Sequence, residues 1–509
     1  MSMDESREPL VATAAGAVRG RREDGLVVFR GVPFAEPPVG AARFQAPRPV
    51  GKWDGVRETF EFGPPPPQEM GFIGRDGEPV EDQGDDWLTL NVWTPDPDPA
   101  ARRPVLVWIY GGAYKIGSAG SPGYDARRIA GEGDVVVVTL NYRLGVEGFA
   151  RIVGAPPNRG LLDQIAALEW VRDNIAAFGG DAAQVTILGE SAGAGCVAAL
   201  LAMPSAAGLF RRAIAQSVPG VFYTDELAVD ITTAIAAELG LRPTVEDLST
   251  VEPRRLPSAG AALGGTMSRF EQRWGPVAHS LSPYAPIVGG ADLPITPWQA
   301  LAGGAGRDVE LIAGHNRDEF RLFVALAGQL GKVSDEQAAT ALRVFGEHVG
   351  GEKAYRAAFP DATAESLHEL VQSDWLFRMP TLHLADAQVA GGGRAHVYEL
   401  TWPTPGRDGV FGACHGMDGP LLFGTLDAHL GPLLFGPDPS AEAIALSHRF
   451  RSAWIAFAAT GDPGWPQYDQ RRRPVRIFDA EPHVSAYPEE ASRRLWQDYE
   501  FPALPLLRT

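Results

Sequence analysis

The chain has 509 residues, 45% hydrophobic and 21% charged, with a formal net charge of −18 and a pI near 5.1. That is enough sequence to bury a large core, and an acidic surface repels phosphate backbones, which argues against nucleic acid as a partner. Apolar runs such as Val135 to Val138 are far too short to cross a bilayer, MSMDESREPL lacks the basic and apolar regions of a secretory signal, and two cysteines, Cys196 and Cys414, make no disulfide framework. The expectation is a cytoplasmic protein with no membrane attachment.

The first ~100 residues are rich in turn signals. Gly31-Val-Pro-Phe-Ala-Glu-Pro-Pro-Val-Gly40 reads as an extended, turn-broken segment and Pro64 to Pro67 as another rigid stretch, because proline removes donors and restricts its predecessor. The pattern then changes. Val105 to Ile109 and Val135 to Thr139 are short apolar runs bounded by Gly and charge, as in strands of a sheet covered on both faces. Leu161, Ile165, Leu168, Val171, Ile175 and Phe178 recur at spacings of three and four, which predicts an amphipathic helix stopped by Gly179-Gly180. Val185 to Leu188 is a further buried strand and Ala192 to Met203 a helix. Strand alternating with helix implies α/β architecture, with a parallel sheet built by right-handed crossovers. Arg212 to Gln216, Val309 to Ala313 and His396 to Leu400 read as later strands. Residues from about 225 to 285 read as an Ala-rich helical insertion, with further helices around 330–385, Glu336 to Val349 among them, and a long helix over Ala441 to Ala459. No repeat or linker interrupts the chain, so residues 1–509 are read as one domain.

Gly189-Glu190-Ser191-Ala192-Gly193 fits G-x-S-x-G between a predicted strand and a predicted helix, the setting a nucleophile elbow requires. A turn that sharp needs absent side chains on either side, and it presents a helix N-terminus to developing negative charge. A Gly-rich strand-to-helix turn with no chemistry is the bland alternative. Tyr110-Gly111-Gly112-Ala113-Tyr114 follows the strand ending at Ile109, and small residues there let backbone N–H groups approach an oxyanion. Gly112, Ala113 and Ala192 are the expected donors. In this chain order the acid precedes the histidine. His415, in the loop Gly412 to Asp418, is the best placed of the ten histidines. Glu319 and its neighbour Asp318, just past the strand ending at Ala313, both qualify as the acid.

These residues carry a likeness. The chain resembles the type-B carboxylesterase family, the cholinesterase-like α/β-hydrolases, and particularly its bacterial, para-nitrobenzyl esterase-like members. The likeness runs through Phe29 to Gly40, Asp86-Trp-Leu-Thr-Leu-Asn-Val-Trp-Thr-Pro95, Asn141 to Gly145, Asn158 to Gln164, Phe178 to Asp181, Gly189 to Gly193, Ala213 to Ser217, Asp318-Glu319, Gly412 to His415 and Trp454 to Ala458. Many motifs in the right order are far more specific than any one. The resemblance implies an α/β-hydrolase fold, a central mostly parallel twisted sheet with helices on both faces and helical insertions over the active site. It implies Ser191, Glu319 and His415 as the triad, choosing Glu319 over Asp318. It suggests Glu190 as a cation-facing or supporting carboxylate and Ser217 as a hydrogen-bond partner near the acid. The chain departs from the family at Tyr110, where His is frequent, at Ala113, where Gly is, and at Asp418, where Glu is common. Pro66 and Trp87 stand where secreted relatives have a disulfide, so packing must hold that loop.

The implied chemistry is two-step acyl transfer on a small-molecule ester, small to medium in size and apolar or aryl in character, without metal or organic cofactor. Tyr114, Phe320 and Phe323 flank the catalytic segments and are candidates for an apolar pocket or for the core. Carbamate, amide or lactone hydrolysis by the same triad is the alternative. A non-catalytic interaction protein is the reading from another class, and a complete triad speaks against it.

Overall fold

The computed structural model describes residues 8–68 and 84–507. Its centre is an eleven-stranded sheet: β1 (Arg21–Glu23), β2 (Leu26–Pro33), β3 (Thr89–Thr94), β4 (Arg103–Ile109), β5 (Val136–Leu140), β6 (Gly180–Glu190), β7 (Arg212–Gln216), β8 (Glu310–Asn316), β9 (Arg394–Leu400), β10 (Pro474–Phe478) and β11 (His483–Ala486). Their order across the sheet is β11-β10-β9-β8-β7-β6-β4-β5-β3-β2-β1. Every pair from β5 through β10 is parallel, and the flanking pairs are antiparallel. The apolar runs of β4 and β5 are buried because helices cover both faces. One group of helices includes Arg159–Asn174, Ala192–Ala202 and Met379–Ala390; the other includes Arg127–Gly133 and Ala441–Thr460.

The predicted parallel strands and long helices fall within a few residues of their observed bounds. Arg159–Asn174 tightens into a 3₁₀ turn, Ile175–Phe178, and stops at Gly179, whose φ of +87° is the left-handed stop expected of that glycine. The region 225–285 holds the helices Asp225–Ala237, Val245–Leu248, Leu256–Gly264 and Glu271–Trp274, and 330–385 holds Asp335–Gly346, Gly351–Ala358 and Ala364–Ser373.

The proline-rich opening is more regular than its turn signals imply. β2 and β3 pair antiparallel, and the register shifts between Phe29 and Val32. Gly31 sits in that shift with φ +66°, donating its N–H to Asn91 Oδ1 at 2.9 Å. A Cβ there would lie 2.7 Å from the Glu61 carbonyl, so only glycine fits. Asn91 in turn donates to Thr139 on β5, which satisfies a polar side chain in the interior of the sheet. Pro66 and Trp87 are buried; residues 69–83 between them lie outside the described residues. Among the described residues no helix is long and apolar enough to cross a membrane.

The segments that matter for chemistry leave the sheet at the carboxyl ends of β4, β6, β7, β8 and β9, the edge where open α/β sheets place their sites. The segment after β5 is fixed by a buried ion pair. Arg143 Nε and Nη2 donate to Asp163 at 2.8 and 2.7 Å, and the Arg143 backbone N–H donates to the same carboxylate at 2.9 Å. Both side chains are fully buried. Two residues on, Gly145 N–H holds the Tyr114 carbonyl at 2.7 Å. Removing one partner strands a buried charge. Asp163→Ala is expected to lose about 3–5 kcal/mol of stability, read as a lower urea-unfolding midpoint; a midpoint unchanged from the parent contradicts that role.

Candidate active site

Ser191 stands at the tip of the turn from β6 into the helix Ala192–Ala202, with φ +58° and ψ −126°. Few non-glycine residues adopt that backbone, and it holds only where neighbours over-determine it. Here the constraint is close packing. A Cβ on Gly193 would lie 2.1 Å from the Ile109 carbonyl oxygen, and one on Gly189 would lie 2.6 Å from the Gly193 backbone. The Ser191 N–H donates to the Gln216 carbonyl at 2.9 Å, tying the elbow to β7.

His415 and Glu319 come from the loops after β9 and β8. The Glu319 carboxylate is buried, accepting from Ser217 Oγ at 2.5 Å and from the Asn316 N–H at 2.8 Å. Its other oxygen lies 2.6 Å from His415 Nδ1, and His415 Nε2 lies 2.9 Å from Ser191 Oγ. Burial by itself raises the Glu319 carboxyl, but His415, Ser217 and the Asn316 N–H outweigh it and hold it below its ordinary value. The ionised carboxylate can only accept, so Nδ1 carries the ring proton and Nε2 is left to accept from Ser191. Asp318, the rival by composition, has a different task. It accepts from the Ala413 N–H at 2.8 Å, and its own N–H donates to the Ala413 carbonyl at 2.9 Å, so it zips the acid loop to the histidine loop.

The oxyanion candidates lie in the turn after β4 and at the start of the helix after β6. Gly112 has φ +110°, and a Cβ there would meet the Ile116 carbonyl at 2.1 Å. Ala113 and Tyr114 follow at φ +54° and +60°. The Gly112 carbonyl accepts from the Lys115 and Ile116 N–H groups, closing the turn. Among the described residues no backbone carbonyl outside regular elements takes the N–H of Gly112 or Ala113. Ala192 opens its helix, where N–H groups are unspent.

Glu190 Oε1 lies 3.1 Å from His415 Nε2, out of line for a hydrogen bond, so it acts on the ring through its charge. Burial pushes the Glu190 carboxyl up to about 8. Burial pulls His415 down, yet Glu190 and Glu319 outweigh it and bring the imidazole to about 9. Asp418 is buried behind the triad, accepting from Gln216 Nε2 at 2.6 Å and Tyr398 Oη at 3.3 Å.

Of the pocket candidates, Phe323 lies 5.3 Å from the His415 ring, centroid to centroid, and Phe320 lies 5.2 Å from Phe323. Tyr114 is buried 4.9 Å from Phe149, packed in the core behind the turn. Phe377 escapes a reading by motif. It stacks on His415 at 4.2 Å and 25°, presented by a π-helical turn, Asp374–Arg378. Insertion of a residue into a helix leaves no periodic signal, so its ring gave no warning. Gln216 and Asn316 are likewise silent in the sequence. Both cysteines are buried free thiols: Cys196, pushed up to about 12 by burial, lies in the nucleophile helix, and Cys414 directly precedes His415.

A base must be unprotonated to act, so the raised His415 pKa moves the acidic limb of kcat/KM above the ordinary histidine range. Glu190→Gln removes one of the two carboxylates that raise the ring, and the limb is expected to move to lower pH. A limb that stays put or moves upward contradicts this account of Glu190.

The carboxylesterase family model matches residues 7–496. A para-nitrobenzyl esterase of Bacillus subtilis is 35% identical over 95% of this chain and 98% of its own length. A phenmedipham hydrolase of Pseudarthrobacter oxydans is 38% identical over 90% of this chain and 93% of its own. Among solved structures, a carboxylesterase of Geobacillus stearothermophilus superposes with a TM-score of 0.83 at 35% identity, covering 96% of this chain and 100% of that one.

Proposed function

The chain belongs to the carboxylesterase family and is a serine carboxylic-ester hydrolase, for which we propose Ser191 as nucleophile, His415 as general base and Glu319 as the carboxylate that orients it. The observation that carries this assignment is the unbroken relay from Ser191 Oγ to His415 Nε2 at 2.9 Å and from His415 Nδ1 to Glu319 at 2.6 Å. The elbow geometry at Ser191 and the turn at Gly112–Ala113 support it independently.

Ser191 Oγ attacks the ester carbonyl while its proton passes to His415 Nε2. The carbonyl oxygen becomes an oxyanion facing the N–H groups of Gly112, Ala113 and Ala192, and each such donor is worth roughly 10²–10³ in rate. The C–O bond to the alcohol breaks, and the proton on Nε2 goes to the leaving oxygen. Water then attacks the acyl-enzyme, giving one proton to His415. The acid departs and Ser191 recovers its proton. Glu319 stabilises the imidazolium in both steps and fixes the tautomer that leaves Nε2 free.

The apolar rings of Phe323 and Phe377 beside His415, with Phe320 packed against Phe323, favour small to medium apolar or aryl esters. The names of two relatives, para-nitrobenzyl esterase and phenmedipham hydrolase, fit an aryl preference. Carbamate, amide or lactone bonds need the same machinery and form the second reading. The two buried thiols fit a reducing cytoplasm, and the charge of −18 fits a partner list without nucleic acid. Tyr114 and Ser217 serve as packing and as a hydrogen-bond donor to the acid. Glu190 tunes the base.

Nitrophenyl esters of increasing acyl length, with one nitrophenyl carbamate, measure the preference directly. Ser191→Ala is expected to fold and to lose about 10⁴-fold or more in kcat. Glu319→Gln, which disturbs the tautomer, is expected to lose about 10⁴-fold. Either variant turning over at the parent rate contradicts the assignment.

A further inference from the structure

We infer that Ser282, on the segment that closes the helical insertion, is a positioning residue that holds the oxyanion turn in its strained working shape. The inference rests on the catalytic reading above and extends it to a residue outside the active-site loops.

The turn bears two consecutive non-glycine residues in left-handed backbone, Ala113 at φ +54° and Tyr114 at φ +60°. Both are conformations that L-residues avoid. Such a conformation persists only when the surroundings over-determine it. Each residue's carbonyl is gripped from outside the turn. Tyr114 O accepts from the Gly145 N–H at 2.7 Å, and Ala113 O accepts from Ser282 Oγ at 2.8 Å. The first grip is backbone and belongs to the segment after β5. The second is a side chain that comes 169 residues along the chain.

Ser282 is itself well fixed. It is buried, and its Oγ accepts from the Tyr284 N–H at 3.1 Å. With that lone pair used, the hydroxyl proton is free to point at Ala113. Its own carbonyl accepts from Ser280 Oγ at 2.9 Å and from the buried Tyr223 hydroxyl at 3.3 Å. The segment then runs into a two-residue strand, Ile287–Val288, paired with Tyr223–Thr224. Asn158, the cap of the helix Arg159–Asn174, holds Ile287 by two hydrogen bonds of 2.8 Å. Ser282 is thus seated on the frame of the molecule rather than on a free loop.

The consequence follows from the backbone. On the catalytic reading, the Ala113 N–H serves the oxyanion while the turn keeps its two positive φ angles. Released at the Ala113 carbonyl, the peptide between Ala113 and Tyr114 can turn over and let the strained pair relax towards negative φ, which shifts the turn and its donor. The loss falls on the transition state, where the oxyanion exists, rather than on the ester as bound.

Four variants test this: Ser282→Ala, Ser282→Thr, Ala113→Gly and the double variant Ser282→Ala/Ala113→Gly, with Ser191→Ala as control. For a nitrophenyl ester, Ser282→Ala is expected to lower kcat by about 10-fold or more, with KM within about two-fold. Affinity for a trifluoromethyl ketone, which forms a tetrahedral adduct, is expected to fall in proportion to kcat. Ser282→Thr keeps the hydroxyl and retains activity. Glycine pays no penalty at positive φ, so Ala113→Gly in the Ser282→Ala background is expected to restore most of kcat. A merely structural serine would change thermal stability without that rescue. Ser282→Ala with parent kcat, while Ser191→Ala is inactive, overturns the inference and leaves the serine mechanism standing. A low kcat in Ser282→Ala that Ala113→Gly does not relieve also overturns it. An active Ser191→Ala overturns both.

Discussion

The site depends on one backbone contortion. Ser191 carries φ +58° because β6 must hand the chain to the helix Ala192–Ala202 while the Ile109 carbonyl of β4 presses on the inside of the turn. Glycine at 189 and 193 is the steric condition for that approach. Once the turn is made, three things happen together. Ser191 stands at the carboxyl edge of the sheet, Ala192 opens the helix directly after it, and the strand that presses on the elbow continues into Gly111–Gly112–Ala113. The proposed nucleophile and the proposed oxyanion donors are therefore positioned by a single contact between neighbouring strands. The acid and base arrive from the next strands on the other side, and Asp318 joins their loops by exchanging backbone and side-chain hydrogen bonds with Ala413.

The electrostatics around His415 are a balance of large opposed effects. A buried imidazole resists charge, and two carboxylates invite it. Glu319 is committed as an anion by three donors, Ser217, Asn316 and the ring itself. Glu190 has no such donor on Oε1, and burial raises its carboxyl to about 8, while Glu190 and Glu319 together bring His415 to about 9. A carboxylate so near Nε2 favours the imidazolium that forms during acyl transfer, and it delays the loss of the proton that must go before the reaction begins. Phe377 and Phe323 exclude water from the ring, which strengthens both effects.

Much of this was legible in the residues. The apolar runs at 105–109 and 185–188 and the glycines at 189 and 193 announce buried strands and a sharp turn, because a local pattern dictates each. Pattern alone does not separate His415 and Glu319 from other histidines and from Asp318; family likeness chooses them, and the proposed triad rests on the hydrogen bonds His415 makes to Ser191 and Glu319. β2 and β3 were hidden by proline signals, since a register shift at Gly31 absorbs the irregularity and long-range pairing supplies what the local sequence denies. Phe377 was hidden by a π-helical turn. Ser282 was hidden because its partner lies 169 residues away, and nothing near either residue records the contact. Residues that carry chemistry were easier to find than the residues that hold them in place.

The central claim is that one serine, Ser191, forms the covalent intermediate. Titration with an organophosphate, followed by peptide mapping of the inactivated enzyme, tests it most directly. One equivalent is expected to abolish ester hydrolysis and to leave a single adduct, on the peptide bearing Ser191. Inactivation with the adduct on another residue, or full activity in protein modified at Ser191, would contradict the account.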